Sequence, residues 1–167
     1  LAITNIILEA IDILLDIGCG NGKAARLAAE ICTSGKVIGI DPTDTMIRIA
    51  REATDENYTN LEFRTGCAEK IPYPHESFTI VTAINSLHHW QDYKKGLLEV
   101  DRVLRPNGSF FIANDIVDGD TCGHGDGPLE KPNHIISILD QAGFINISIK
   151  KYYNEKTGIY LISSKKP

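Results

Sequence analysis

The chain has 167 residues, a length suited to one domain with one core. Its 43% hydrophobic and 23% charged residues fit an ordinary globular protein, and no run approaches the ~20 apolar residues of a membrane span. The formal net charge of −5 opposes phosphate backbones, so long nucleic acid is not an expected partner. The opening LAITNIILEAIDILLDIG is apolar, but it has no basic start and no small-residue cleavage site, which argues against a secretory signal. The first residue is Leu1 rather than Met, so trimming, processing or a missing N-terminal segment is expected. Cys19, Cys32, Cys67 and Cys122 form no CxxC pair and read as reduced thiols of a cytoplasmic protein.

IDILLDIG (11–18) is a continuous apolar run ending at glycine, the pattern of a strand buried on both faces. KAARLAAEIC (23–32) predicts a helix with Ala25, Leu27, Ala28 and Ile31 on its apolar stripe, and KVIGI (36–40) a second strand. After Asp41-Pro42 a helix begins near Thr43, with Met46, Ile47 and Ala50 on one face. Strands follow at 61–64 and 78–84. A helix at 93–104 is ended by the turn residues Pro106-Asn107-Gly108, and a strand follows at 109–113. A Pro-initiated helix at 132–142 stops at Gly143, and strands at 144–149 and 158–164 close the chain across a hairpin-like return. Strand–helix alternation predicts βαβ units and a parallel sheet, and the final strand pair, with no helix between, predicts an antiparallel last strand. Asp115 to Gly127, rich in Gly and Asp, reads as a loop.

Asp16-Ile17-Gly18-Cys19-Gly20-Asn21-Gly22 sits between a predicted strand and a predicted helix. Glycines there allow a sharp turn and close approach of a ligand to the backbone. A dinucleotide fingerprint fails, because Lys23 stands where its third glycine is needed. A P-loop also fails: three residues, not four, separate Gly18 from Gly22, and Ala24 follows the Lys. Asp16 would repel a pyrophosphate but attract an ammonium, which favours S-adenosylmethionine, a cofactor with an ammonium, a sulfonium and no phosphate. The competing role for Asp16 is a local backbone cap. Asp41, 19 residues after Gly22, can accept both hydrogen bonds of a ribose diol, or cap the helix near Thr43. Thr43 could take the capping role and leave Asp41 freer. Met46 suits either a purine face or the helix core.

LLDIGCGNG, VIGIDPTDTMIRIARE, GCAEKIPYPHESFTIVTAINSLHHW and LLEVDRVLRPNGSF, in this order, resemble successive motifs of class I S-adenosylmethionine-dependent methyltransferases, closest to the type 11 group named for ubiquinone/menaquinone-biosynthesis methyltransferases. The resemblance covers about Ile13 to Ala113. It implies a Rossmann-like three-layer α/β sandwich whose seven-stranded, mostly parallel sheet has order 3-2-1-4-5-7-6, with strand 7 antiparallel. It also implies that Asp16, Gly18, Cys19, Gly20, Asn21 and Gly22 hold the methionine part. Asp41, with Pro42 after it, would serve the ribose. Met46 and the Cys67-Ala68-Glu69 turn would flank or contact the adenine, and Asn85 and Ser86 would face the methionine part and the sulfonium. The family usually has Asp at Cys67, where it accepts from the adenine amino group, and a thiol is a weak acceptor. It also commonly has Asp at Thr79 and Gly at Asn107.

His88 and His89 could remove a proton from an acceptor, or could line the pocket or pack beneath it; His75 reads as solvent-exposed. Asp118, Asp120, Cys122, His124 and Asp126 match neither a zinc nor an EF-hand spacing, so no metal is expected there. About ten residues precede the first strand, so an N-terminal lid is expected to be short or missing, with a small-molecule acceptor in an open pocket and S-adenosylhomocysteine as product. A homo-oligomer or a lid-supplying partner fits the same facts. The rival expectation is a non-catalytic S-adenosylmethionine-binding module or regulatory subunit.

Overall fold

The apolar runs that interrupt the helical patterns become the middle of a single sheet. A computed structural model describes residues 1–116, 129, 131–155 and 157–167. Strand β1 (Ile13–Ile17) leads into α1 (Lys23–Ile31), then β2 (Lys36–Asp41), α2 (Asp44–Glu52), β3 (Leu61–Thr65) and β4 (Phe78–Ile84). After these come α3 (Tyr93–Val103), β5 (Leu104–Ile116), α4 (Pro132–Gln141), β6 (Ile145–Tyr153) and β7 (Gly158–Lys165). The strand order is β3-β2-β1-β4-β5-β7-β6. Strands β1 to β5 pair in parallel, and β7 runs antiparallel to both β5 and β6, as the broken alternation required.

Two hydrophobic layers explain the sandwich. Leu14 points to the α1/α2 side, where Ala25, Ala28, Ile47 and Ala50 are buried. Leu15 and Ile17 point to the other side, packed with Leu97 and Val100 of α3 and Ile135 and Leu139 of α4. The small alanines of α1 bring that helix close to the sheet. Truncating a side chain such as Leu15, which is 0% exposed, costs about 2–5 kcal/mol. Arg102 ties the segment before β4 to α3. Its guanidinium donates to both Glu99 carboxylate oxygens at 2.7 Å, to Tyr73 O at 2.7 Å and to Ile71 O at 3.0 Å. Ile71 N donates to the same Glu99 carboxylate at 2.8 Å. The Arg102 bond, acting against burial, holds the Glu99 carboxyl below its usual range.

Three segments depart from the sequence expectation. Pro106-Asn107-Gly108 does not form a turn between helix and strand: β5 starts at Leu104, directly after α3, and these residues bulge within it. Asn107, at φ 63°, donates its N–H to Lys166 O at 3.1 Å, and Lys166 N donates to Gly108 O at 3.0 Å. The end of the chain therefore pairs with the bulge and keeps it in the sheet. Asp115 and Ile116, expected to open a loop, are instead strand residues opposite Ile159 and Gly158. Strand β6 runs on to Tyr153, which shortens the final return to residues 154–157.

The Asp118, Asp120, Cys122, His124 and Asp126 donors lie outside the described residues. Among the described residues no cluster of three metal donors occurs, and no helix is long and apolar enough to cross a membrane. Cys19, Cys32 and Cys67 are free thiols.

Candidate functional site

The sheet reverses its winding between β1 and β4, and at such a switch point the loops after the two strands diverge and leave a crevice at their carboxyl ends. The loop after β1 turns at Gly18, with φ 72°, and at Gly20, with φ 52°, in the left-handed region that glycine enters freely. Gly18 N and Cys19 N both donate to Ile40 O, at 2.8 and 3.0 Å, which pins the loop to β2. Beneath it lies Ser86. A Cβ on Gly18 would stand 2.5 Å from Ser86 Cβ, and Ser86 Oγ donates to Ile17 O at 2.6 Å. On the opposite side of the loop, a Cβ on Gly20 would meet nothing within 4 Å, because Gly20 lines a cavity of about 850 Å³.

Asp16 also lines this cavity, although it is only 2% exposed. It sits in register with Thr82 of β4, whose Oγ1 donates to Asp16 Oδ1 at 2.8 Å. Burial pushes the Asp16 carboxyl up from 3.8 to about 6; the Thr82 bond opposes this and the nearby Asp41 adds to it. Burial, reinforced by Asp16 and Asp41, likewise raises the Cys19 thiol far above its usual range.

Asp41 is buried and does two jobs. Its Oδ2 accepts from Gly20 N at 3.0 Å and its Oδ1 from Thr43 N at 2.9 Å. Thr43, the N-cap of α2, makes no side-chain capping bond. The expectation that Thr43 would cap and leave Asp41 freer is therefore corrected: one lone pair of each Asp41 oxygen holds a backbone amide. Met46 is not a core residue; it is 39% exposed and lines the cavity from α2.

The expected residues divide into two groups. Asp16, Gly18, Cys19, Gly20 and Asn21, with Met46 and Asn85, share the cavity wall. Gly22, Asp41 and Ser86 lie behind the loop and shape it, and Pro42 is exposed. Cys67 pairs with Lys70 in an isolated bridge, and Ala68 is buried. Glu69 accepts from Asp92 N at 3.1 Å; burial works to raise its carboxyl, but this and neighbouring hydrogen bonds outweigh it and leave the carboxyl below its usual range. His88 and His89 belong to a 3₁₀ turn, Leu87–His89, with ring centroids 4.0 Å apart, and neither lines the cavity.

Sequence reasoning missed Asp115, Asn154 and Thr157, which also line the cavity, as do Leu1 to Ile3. Asn85 is turned to φ 51°, and its amide is engaged with Asp115. Asn85 Nδ2 donates to Asp115 Oδ2 at 3.0 Å, and Asp115 N donates to Asn85 Oδ1 at 2.9 Å. An Asn followed thirty residues later by an Asp at a strand end carries no local signal; only the pairing of β4 with β5 brings them together.

A family model described as a methyltransferase domain matches residues 15–112. An uncharacterized methyltransferase of Bacillus subtilis, YcgJ, is 35% identical over 102 residues, covering 60% of this chain and 40% of its own. A demethylmenaquinone methyltransferase of Chlorobaculum parvum is 36% identical over 104 residues, covering 62% of this chain and 41% of its own. The chain thus spans about 40% of the length of these curated relatives. The crystal structure of an S-adenosylmethionine-dependent methyltransferase from Aquifex aeolicus superposes with a TM-score of 0.79 at 21% identity, over 95% of this chain and 84% of that one, a likeness of fold. On the matched motifs and the sheet order together, the chain belongs to the methyltransferase-domain family of S-adenosylmethionine-dependent enzymes.

Proposed function

We propose that this domain transfers the methyl group of S-adenosylmethionine to a small-molecule acceptor. The observation that carries this is a buried carboxylate, Asp16, on the wall of a cavity whose glycine loop is open on the ligand side at Gly20. A pyrophosphate would meet that carboxylate at close range, whereas an ammonium gains from it. The residues present therefore fit the cofactor's cationic amino-acid end.

In this assignment Asp16 faces the ammonium, and the backbone from Gly18 to Asn21 holds the methionine part, with Gly22 completing the bend. Asp41 keeps Gly20 in place and offers its remaining lone pairs to the ribose hydroxyls, with Pro42 directing the chain away. Met46 lies against the adenine, and the Cys67-Ala68-Glu69 turn is assigned to flank it. Ser86 supports the loop from below. Asn85 acts through Asp115 instead of offering a free amide. His88 and His89 act on the acceptor only if that acceptor extends beyond the cavity wall.

When bound, the cofactor supplies an electrophilic methyl on a sulfonium. The leaving group is a neutral thioether, so the protein has no need of an acid on that side. Its own contribution to an in-line displacement is positioning, which supplies at most about 7–11 kcal/mol. Leu1 to Ile3 help to wall off water.

Cys67 in place of a carboxylate favours one rival, a module that binds the cofactor without transferring its methyl group. Calorimetry with S-adenosylmethionine, followed by turnover to S-adenosylhomocysteine with a pool of small metabolites, separates the two. Binding with turnover supports the enzyme, binding without turnover supports the module, and absence of binding refutes both.

A further inference from the structure

Beyond the cofactor's share, the cavity has a second end, formed by β4, β5 and the β6–β7 return. Its floor is apolar, made by Ile84, Ala113 and Ile159. Among the described residues its polar rim carries the Asp115 carboxylate, and Lys23 at the start of α1 lines the same cavity. Taking the methyl-transfer assignment as given, we propose that Asp115 anchors the acceptor, and that the acceptor is a small organic amine that enters as its ammonium with an apolar body.

Three observations support this. First, the Asp115 carboxylate is aimed. Asn85 N donates to Ala113 O at 2.8 Å, which folds Asn85 back against β5, and the two reciprocal bonds between its amide and Asp115 fix one carboxylate oxygen, Oδ2. Among the described residues no hydrogen bond is made to Oδ1. Asp115 is an exposed residue, and these bonds hold its carboxylate in one orientation on the cavity wall. Second, the charge of the wall suits a cation. Asp16 is committed to the cofactor's ammonium, so among the described cavity-lining residues Asp115 is the carboxylate left for a second one, and it would repel a phosphate or carboxylate placed beside it. Third, the β6–β7 return that contributes to this end is braced by hydrogen bonds between its own ends. Asn154 Oδ1 accepts from Thr157 N at 2.8 Å and Asn154 N donates to Thr157 O at 2.9 Å, so these two cavity-lining residues are held in place.

The chemistry balances without a further reagent. The ammonium releases one proton to water while Asp115 holds the nitrogen in place. The freed nitrogen lone pair forms the N–C bond as the C–S bond breaks, and that electron pair stays on sulfur. The methylated ammonium then departs.

The test uses the protein saturated with S-adenosylhomocysteine and three matched probes: n-hexylamine, 1-hexanol and hexanoate. Calorimetry should show hexylamine binding at least tenfold more tightly than hexanoate, with hexanol between them. Asp115→Asn should remove at least tenfold of the hexylamine affinity while S-adenosylhomocysteine affinity stays within twofold, which also shows that the variant is folded. With the cofactor product bound, absence of an amine preference, or its persistence in Asp115→Asn, overturns the proposal and leaves the cofactor assignment intact. Failure of the wild-type protein to bind S-adenosylhomocysteine overturns both.

Discussion

Replacing Asp16 with Asn should move stability and cofactor binding in opposite directions. The carboxyl is 2% exposed and raised from 3.8 to about 6, chiefly by burial. That difference corresponds to about 3 kcal/mol between the unfolded and folded carboxyl. A group raised in the folded state contributes stability that is fully present below its unfolded value and is lost as the pH rises through the folded value. Above pH 6 the protein therefore holds a charge that its own fold disfavours. Asn at this position can still accept from Thr82 Oγ1, which lies 2.8 Å from Asp16 Oδ1, but carries no charge. Urea unfolding at pH 7.5 should show Asp16→Asn to be more stable than wild type by up to about 3 kcal/mol, with the gap narrowing toward pH 4. Calorimetry should show S-adenosylmethionine bound about 10- to 100-fold more weakly, the worth of a hydrogen bond to a charged group. In the wild type, affinity should fall about tenfold per pH unit below pH 6. A variant less stable than wild type at pH 7.5, or one that binds the cofactor equally well, would refute the reasoning.

Gly18→Ala and Gly20→Ala should separate scaffold from cradle. Both pay about 1–2 kcal/mol for a left-handed alanine, but only Gly18→Ala also drives a Cβ into Ser86, so its thermal unfolding should fall much further. Gly20→Ala should remain folded and lose more than tenfold in cofactor affinity by calorimetry, because its methyl stands in the cavity. Asp41→Ala leaves two backbone amides without acceptors and should cost about 1–3 kcal/mol in urea melts, with Asp41→Asn losing less. Arg102→Met strips the Glu99 and carbonyl bonds of a partly exposed pair and should cost about 1–3 kcal/mol while leaving cofactor affinity unchanged in calorimetry. Cys67→Asp, which restores the acceptor common in the family, should tighten S-adenosylmethionine binding several-fold, and unchanged affinity would remove the adenine role from that turn.

Much of the sheet was legible because buried parallel strands announce themselves as unbroken apolar runs: Ile13 to Ile17 and Phe78 to Ile84 stand out without any neighbour in view. The antiparallel β7 followed from the missing helix after β6. The bulge at Pro106 to Gly108 was not legible, since its place in the sheet depends on hydrogen bonds from Lys166, at the far end of the chain. The same holds for Tyr152 and Tyr153, whose strand character comes from pairing with Ile159 and Gly158. At the site, Asp16 and the glycines were readable because backbone conformation and charge are local properties. Thr43 misled because a threonine before a helix has capping chemistry available, and only the structure reveals that Asp41 takes the amide. Asp115 was hidden in a Gly- and Asp-rich stretch whose composition points to a loop.

The central claim is that the cavity lined by Asp16, the Gly18–Asn21 loop and Met46 takes a cationic amino-acid nucleoside in preference to a phosphate. Titrating the ¹⁵N-labelled protein with S-adenosylhomocysteine tests it most directly. Saturable shifts of the Gly18, Gly20, Asn21 and Met46 amides are predicted, with ADP at equal concentration leaving them in place. Amides that stay fixed under S-adenosylhomocysteine, or that move as readily for ADP, would contradict it.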